Sequence, residues 1–227
     1  MALAGCSVAN PKTGEGASAF KDRRGAMLPL SLAAISNGSR PAFAMAQPRA
    51  RGFADRCPHC GCEITNRSEG RSETSDGSCD CALCCLAQNL ERPEIDREAI
   101  LIWAPEFTQG AVNALVHRVH SSFARHGKPV SWPLDPLPAN SPDDLLAASS
   151  AYAALVERSV IAKQRLGTSS PRDLAEALSF VSPSSYARRH ELLGGARLLS
   201  LGRFFVDGCD IYPRLLVKER LASILRS

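Results

Sequence analysis

Cys57-Pro58-His59-Cys60-Gly61 is a Cys-x-x-Cys-Gly knuckle. A two-residue spacer lets both sulfurs face one ion, and a glycine after the second cysteine permits the tight turn this needs. A second cluster, Cys79-Asp80-Cys81-Ala82-Leu83-Cys84-Cys85, repeats the spacing at Cys81-x-x-Cys84. Twenty residues separate Cys60 from Cys81, a normal interval between the halves of a zinc site. Cys57, Cys60, Cys81 and Cys84 are therefore the candidate metal ligands, with Cys81 and Cys84 at the start of a helix running toward Leu90. Four thiolates make a closed tetrahedral shell, which marks structural zinc and leaves no open position for hydrolysis. Iron–sulfur ligation uses the same donor set and stays open. So does the exact ligand choice: Cys79 can replace Cys81, and Cys62 or Cys85 can replace a neighbour. Cys6 and Cys209 stand apart in the sequence and are expected as free thiols.

Catalysis has no comparable signature. A His-Asn-His nuclease built on such knuckles needs a histidine between them, and residues 61–80 contain none. His117 and His120 are three apart without an accompanying carboxylate, so a solvated or partly buried helix face is expected there. His126 and His190 stand near helix C-termini, where a cation is favoured. There is no phosphate-cradling Gly loop with Lys and no Gly-x-Ser-x-Gly elbow. Asp143 and Asp144 are adjacent carboxylates at a helix start, where they complement the dipole. The chain is expected not to be an enzyme.

The rest of the sequence must position the cysteines. The chain has 227 residues, 44% hydrophobic and 22% charged, enough for a sizeable core. No uninterrupted apolar run reaches the roughly 18 residues of a membrane span. Leu3-Ala4-Gly5-Cys6 imitates a lipoprotein cleavage box but lacks the charged start and apolar stretch before it. Residues 21–44 imitate a late signal, with charge at Lys21–Arg24 before the apolar Met27–Ile35, but Arg40 and Pro41 interrupt it. A reducing compartment is thus expected, where clustered cysteines bind metal rather than pair. Net charge is +4. Residues 57–99, with four basic and nine acidic groups, carry the opposite sign to a nucleic-acid finger.

Residues 1–26 show no period and read as a flexible arm. Leu28–Ile35 reads as a strand, and Ile100-Leu101-Ile102-Trp103 as another. Thr108 caps a helix whose apolar face is Val112, Leu115, Val116, Val119 and Phe123, ended by Gly127 and Pro129. A proline-rich connector covers 128–141. Ser141-Pro142-Asp143-Asp144 opens a helix capped by Ser141 and ending near Leu166 and Gly167, and Ser170-Pro171-Arg172-Asp173 repeats the same start logic for the next. Further helices are expected over Ser185–Leu193 and after Pro213. The fold class is α+β, with a zinc-binding α+β unit at 27–127 and a mostly helical region at 142–227.

Five pieces in order resemble the IcmJ (DotN) family of the Dot/Icm type IVB secretion system and related conjugation systems. They are Leu28–Ser36, like the family's first strand; Phe53-Ala54-Asp55-Arg56 before Cys57-x-x-Cys60-Gly61; and Cys79-x-Cys81-x-x-Cys84. The fourth, Leu101-Ile102-Trp103-Ala104-Pro105-Glu106-Phe107-Thr108-Gln109, is similar to an apolar strand followed by Pro-Glu-Leu-Thr-Gln opening a helix. The fifth, Ala196-Arg197-Leu198-Leu199-Ser200 before Phe204, resembles a closing segment. The resemblance spans about 28–225. It implies a degenerate His-Asn-His, treble-clef-like zinc fold without nuclease function and with one structural Zn2+ per chain. It also implies a non-catalytic adaptor in a cytoplasmic coupling complex. Such an adaptor binds the C-terminal extension of the coupling ATPase and other coupling-complex subunits, meets the inner membrane only through them, and contacts no nucleic acid directly. The other reading is a nucleic-acid-binding zinc protein or relic His-Asn-His-type nuclease.

Overall fold

Strand β1 (Ala99–Trp103) is packed against helices and a second strand. Ala99, Leu101 and Ile102 are at most 1% exposed, as expected for a β-branched and apolar run with neighbours on both faces. In this computed structural model the described residues are 56–57, 59–62, 81–130 and 132–217. The expected arm at 1–26, the strand at Leu28–Ile35, the loop at 63–78, Cys79 and the end of the last helix lie outside them.

The described elements begin with two short helices, α1 (Ala82–Gln88) and α2 (Ile95–Glu98), which lead into β1. Helix α3 (Gln109–Arg125) follows, then α4 (Asp143–Leu166) and α5 (Pro171–Ser179). Two one-turn helices, α6 (Pro183–Ala187) and α7 (Arg189–Leu192), precede β2 (Ala196–Ser200). A small hairpin closes the order, β3 (Phe205–Val206) and β4 (Cys209–Asp210), and residues 212–217 are again helical. The architecture is mixed helix and strand.

Strands β1 and β2 pair antiparallel, Leu101 opposite Leu198 and Trp103 opposite Ala196. The 142–227 stretch therefore supplies a strand as well as helices, and it shares one sheet and one core with residues before 127. The helix expected over Ser185–Leu193 is broken in two at Arg188, the C-cap of α6 and N-cap of α7.

Thr108 caps α3 as expected, its side chain accepting from the Ala111 N–H at 3.1 Å. Val112, Val116, Val119 and Phe123 recur on one face and are at most 4% exposed. Ser170 likewise caps α5, with Pro171 in its first turn. Helix α4 departs from expectation: Pro142, not Ser141, is its N-cap, and no side chain caps it. The Pro142 carbonyl instead accepts from the Leu145 and Leu146 N–H groups. By length and composition, Asp143–Ser179 would pass as a membrane span. One side of α4 packs inward. Leu145, Tyr152, Leu155 and Val156 are buried in the shared core, and the Tyr152 hydroxyl donates to the Ser200 carbonyl at 2.6 Å.

One buried ion pair ties the sheet to the hairpin. Glu98 is fully buried, and Arg92 grips it through two hydrogen bonds of 2.7 and 2.8 Å. Arg92 also donates to the Phe205 carbonyl and lies 4.2 Å from the centre of the Phe204 ring. Glu98 completes its shell with the Phe205 N–H at 2.6 Å. Removing one member of such a pair strands a buried charge. Arg92→Met should cost about 3–5 kcal/mol in urea unfolding, and adding Glu98→Leu should recover most of that loss.

Candidate metal centre

The knuckle is a turn closed on itself. The Gly61 N–H donates to the Cys57 carbonyl at 2.9 Å, and the Cys57 N–H donates to the Cys62 carbonyl at 2.7 Å. Gly61 has φ +72°. Cys81 is the N-cap of α1 and Cys84 lies one turn inside it. Residues three apart on a helix share a face, so both sulfurs point to the knuckle.

The knuckle rests on the first turn of α3. A Cβ on Gly110 would collide with the His59 carbonyl oxygen and come within 3.2 Å of its carbon. Only glycine permits that approach.

The structure brings Cys57, Cys60, Cys81 and Cys84 together, with their sulfurs all within 4.8 Å of one another and Cys60 Sγ 3.4 Å from Cys81 Sγ. A zinc ion at about 2.3 Å from four sulfurs sets them about 3.8 Å apart, so small adjustments would seat an ion. None of the four is in a disulfide. Among the described residues this is the grouping of cysteine, histidine and carboxylate groups placed to hold a metal ion. Cys57 and Cys84 are 2% and 0% exposed. Cys62 and Cys85, the alternative ligands, are not in a disulfide and are not part of the four-sulfur group. Cys79 lies outside the described residues.

The four thiols do not share charge equally. Cys60 is held far below the ordinary thiol range, chiefly by the hydrogen bond from Cys57, then by Cys62, Cys81 and Cys84. Contact with Cys60 raises Cys57, but Cys81 and Cys84 outweigh it and bring Cys57 down to about 6. Cys81 and Cys84 are pushed up, first by Cys57 and Cys60 and also by burial. Metal ligands must be thiolates, so a dication would displace the protons these sulfurs hold.

Two polar side chains that the sequence reasoning missed reach this cluster. Asn113 Nδ2 donates to Cys84 Sγ at 3.2 Å, and Gln109 Nε2 donates to Asn113 Oδ1 at 2.8 Å. Both residues are at most 4% exposed. The available signal was a polar i, i+4 pair beside the apolar face of α3, in line with His120 seven residues on.

The remaining sequence candidates lie elsewhere. His126 is the C-cap of α3 and bonds Asp144 at 3.0 Å. His190 is exposed, 3.6 Å from Glu191. His120, expected on a solvated or partly buried face, is fully buried, because Tyr212 and Tyr152 close over it. Cys209, expected as a free thiol, is disulfide-bonded; distance along the sequence says nothing of neighbours in space.

No protein-family model matches the chain, and no curated protein matches it significantly.

His120 yields a pH dependence. Burial, with a smaller repulsion from His117, lowers it to about 3, against about 6.5 unfolded. The unfolded chain takes up the proton first. Stability is full above pH 6.5 and declines toward pH 3, by about 1.4 kcal/mol per pH unit for one proton. Denaturant midpoints at pH 7 and 5 should therefore converge in His120→Asn relative to the wild type. Acid loss of a metal ion would affect both proteins alike.

Proposed function

We propose that this chain is a non-catalytic, zinc-stabilised adaptor of a type IVB secretion or conjugative transfer system. In this reading it binds the C-terminal extension of the coupling ATPase in a cytoplasmic coupling complex and helps recruit substrates. The four-sulfur cluster is the observation that carries its structural half. A four-thiolate shell has no open position at which a metal could activate water, which supports a structural ion and a degenerate His-Asn-His, treble-clef-like unit. Zinc is preferred because Cys-x-x-Cys pairs about twenty residues apart suit it, and its binding supplies about 10–16 kcal/mol to small cysteine units at neutral pH.

The coupling half rests on the ordered motifs that resemble the IcmJ (DotN) family. The most telling of them, Leu101–Gln109, supplies much of β1, the Thr108 cap and Gln109, whose side chain reaches Asn113 beside the cluster. The motif therefore has a physical reason to be intact: it supports the metal centre from below.

The test is a pull-down of the coupling ATPase's C-terminal tail by the purified protein, with zinc counted by mass spectrometry on the same sample. A stable complex and one zinc per chain are expected. One zinc without tail binding would overturn the adaptor role, and a salt-dependent shift of labelled DNA would then favour the nucleic-acid reading. Absence of zinc would overturn the structural half.

A further inference from the structure

The outer edge of β2 is closed by side chains rather than by another described strand. At Leu198 both backbone groups point away from β1. The Leu198 N–H donates to Gln109 Oε1 at 2.8 Å, and the Leu198 carbonyl accepts from Gln109 Nε2 at 2.8 Å. Gln109 thus imitates one residue of a neighbouring strand.

The direction of this network is not free. A backbone N–H only donates, so the Gln109 atom facing it is the oxygen. The Gln109 nitrogen then spends its two hydrogens on the Leu198 carbonyl and on Asn113 Oδ1. With its oxygen engaged, Asn113 has only its amide nitrogen to offer Cys84, at 3.2 Å. The sulfur must accept. An accepting sulfur is the role that a metal ligand takes towards a supporting side chain. The polarity of the whole chain originates in a peptide group of the sheet, far in sequence from the cysteines.

We propose that Asn113 is the hydrogen-bonding support that orients Cys84 in the metal centre, and that Gln109 relays metal loading to the outer edge of β2. This rests on the metal reading above. With the ion in place, Cys84 is fixed and the relay is satisfied from sulfur to sheet. Without it, the knuckle and α1 lose their common tie and Asn113 loses a fixed acceptor. Gln109 then no longer holds both groups of Leu198 in register. Every member is at most 4% exposed, so water does not readily replace the lost bonds. Supporting hydrogen bonds of this kind change metal affinity by about 10–100-fold when removed.

The experiment uses the full chain and zinc. Zinc affinity is measured by competition with a chromophoric chelator in the wild type, in Asn113→Asp, which presents a carboxylate to the sulfur, and in Gln109→Glu, which removes the donor to Asn113. Amide exchange at Leu198 is followed by NMR in the wild type with zinc and after chelation, with Ile100 inside the β1–β2 ladder as reference. The expected result is a loss of zinc affinity of about 10–100-fold in Asn113→Asp. A smaller loss is expected in Gln109→Glu. Leu198 exchange should quicken after chelation by about tenfold more than Ile100 exchange, roughly the protection that one hydrogen bond contributes. Unchanged zinc affinity in a folded Asn113→Asp protein would overturn the support role. Leu198 exchange that follows Ile100 with and without zinc would overturn the relay, and this needs no variant. A wild type that binds no zinc would overturn both this inference and the metal reading. Normal zinc binding with unaltered variants would overturn this inference alone.

Discussion

Four thiols cannot all ionise within 4.8 Å of one another without a cation among them, because each thiolate raises the cost of the next. The thiols accordingly shift in opposite directions, Cys57 and Cys60 down and Cys81 and Cys84 up. A divalent ion removes the conflict and ties two segments that have little else in common. One is a closed turn with few side chains, and the other is a seven-residue helix.

The rest of the fold presents a platform to that centre. The Gly110 approach seats the knuckle on α3, and α1 contributes buried Leu83 and Leu86 to the shared core. Helix α3 in turn packs beside a sheet whose strands come from opposite ends of the described chain. The buried Arg92–Glu98 pair and the Tyr152–Ser200 hydrogen bond fasten the far side of that sheet. Polar groups inside the core are thus concentrated where distant segments must be held in one register. Hydrogen bonds specify geometry there, which apolar packing alone leaves loose.

Local features were legible in the sequence. The Cys-x-x-Cys spacing, the caps at Thr108 and Ser170, and the stop at Gly167 each depend on a few adjacent residues; the structure gathers the four cysteines and places the caps and the stop as read. Features that depend on distant partners were not. Ala196–Ser200 has no alternating pattern, because it is buried nearly throughout, and its pairing with β1 joins residues almost a hundred positions apart. Glu98 counted toward the acidity of the cysteine segment, yet it is a core residue whose partner sits six positions earlier. Gln109 and Asn113 drew no structural expectation and His120 was expected on a solvated or partly buried face, since nothing near them in sequence shows that Leu198, Cys84 and Tyr212 meet them. One readable signal was missed: Asp207-Gly208 turns the β3–β4 hairpin with both residues at positive φ, and such a pair marks a two-residue turn.

The claim on which everything else rests is that Cys57, Cys60, Cys81 and Cys84 together hold one metal ion. X-ray absorption at the zinc edge of the purified full-length protein addresses it most directly. The account predicts a single shell of four sulfurs at about 2.3 Å, with no shorter scatterer. A shell containing nitrogen or oxygen at about 2.0–2.2 Å, or a protein that retains no zinc, would contradict it.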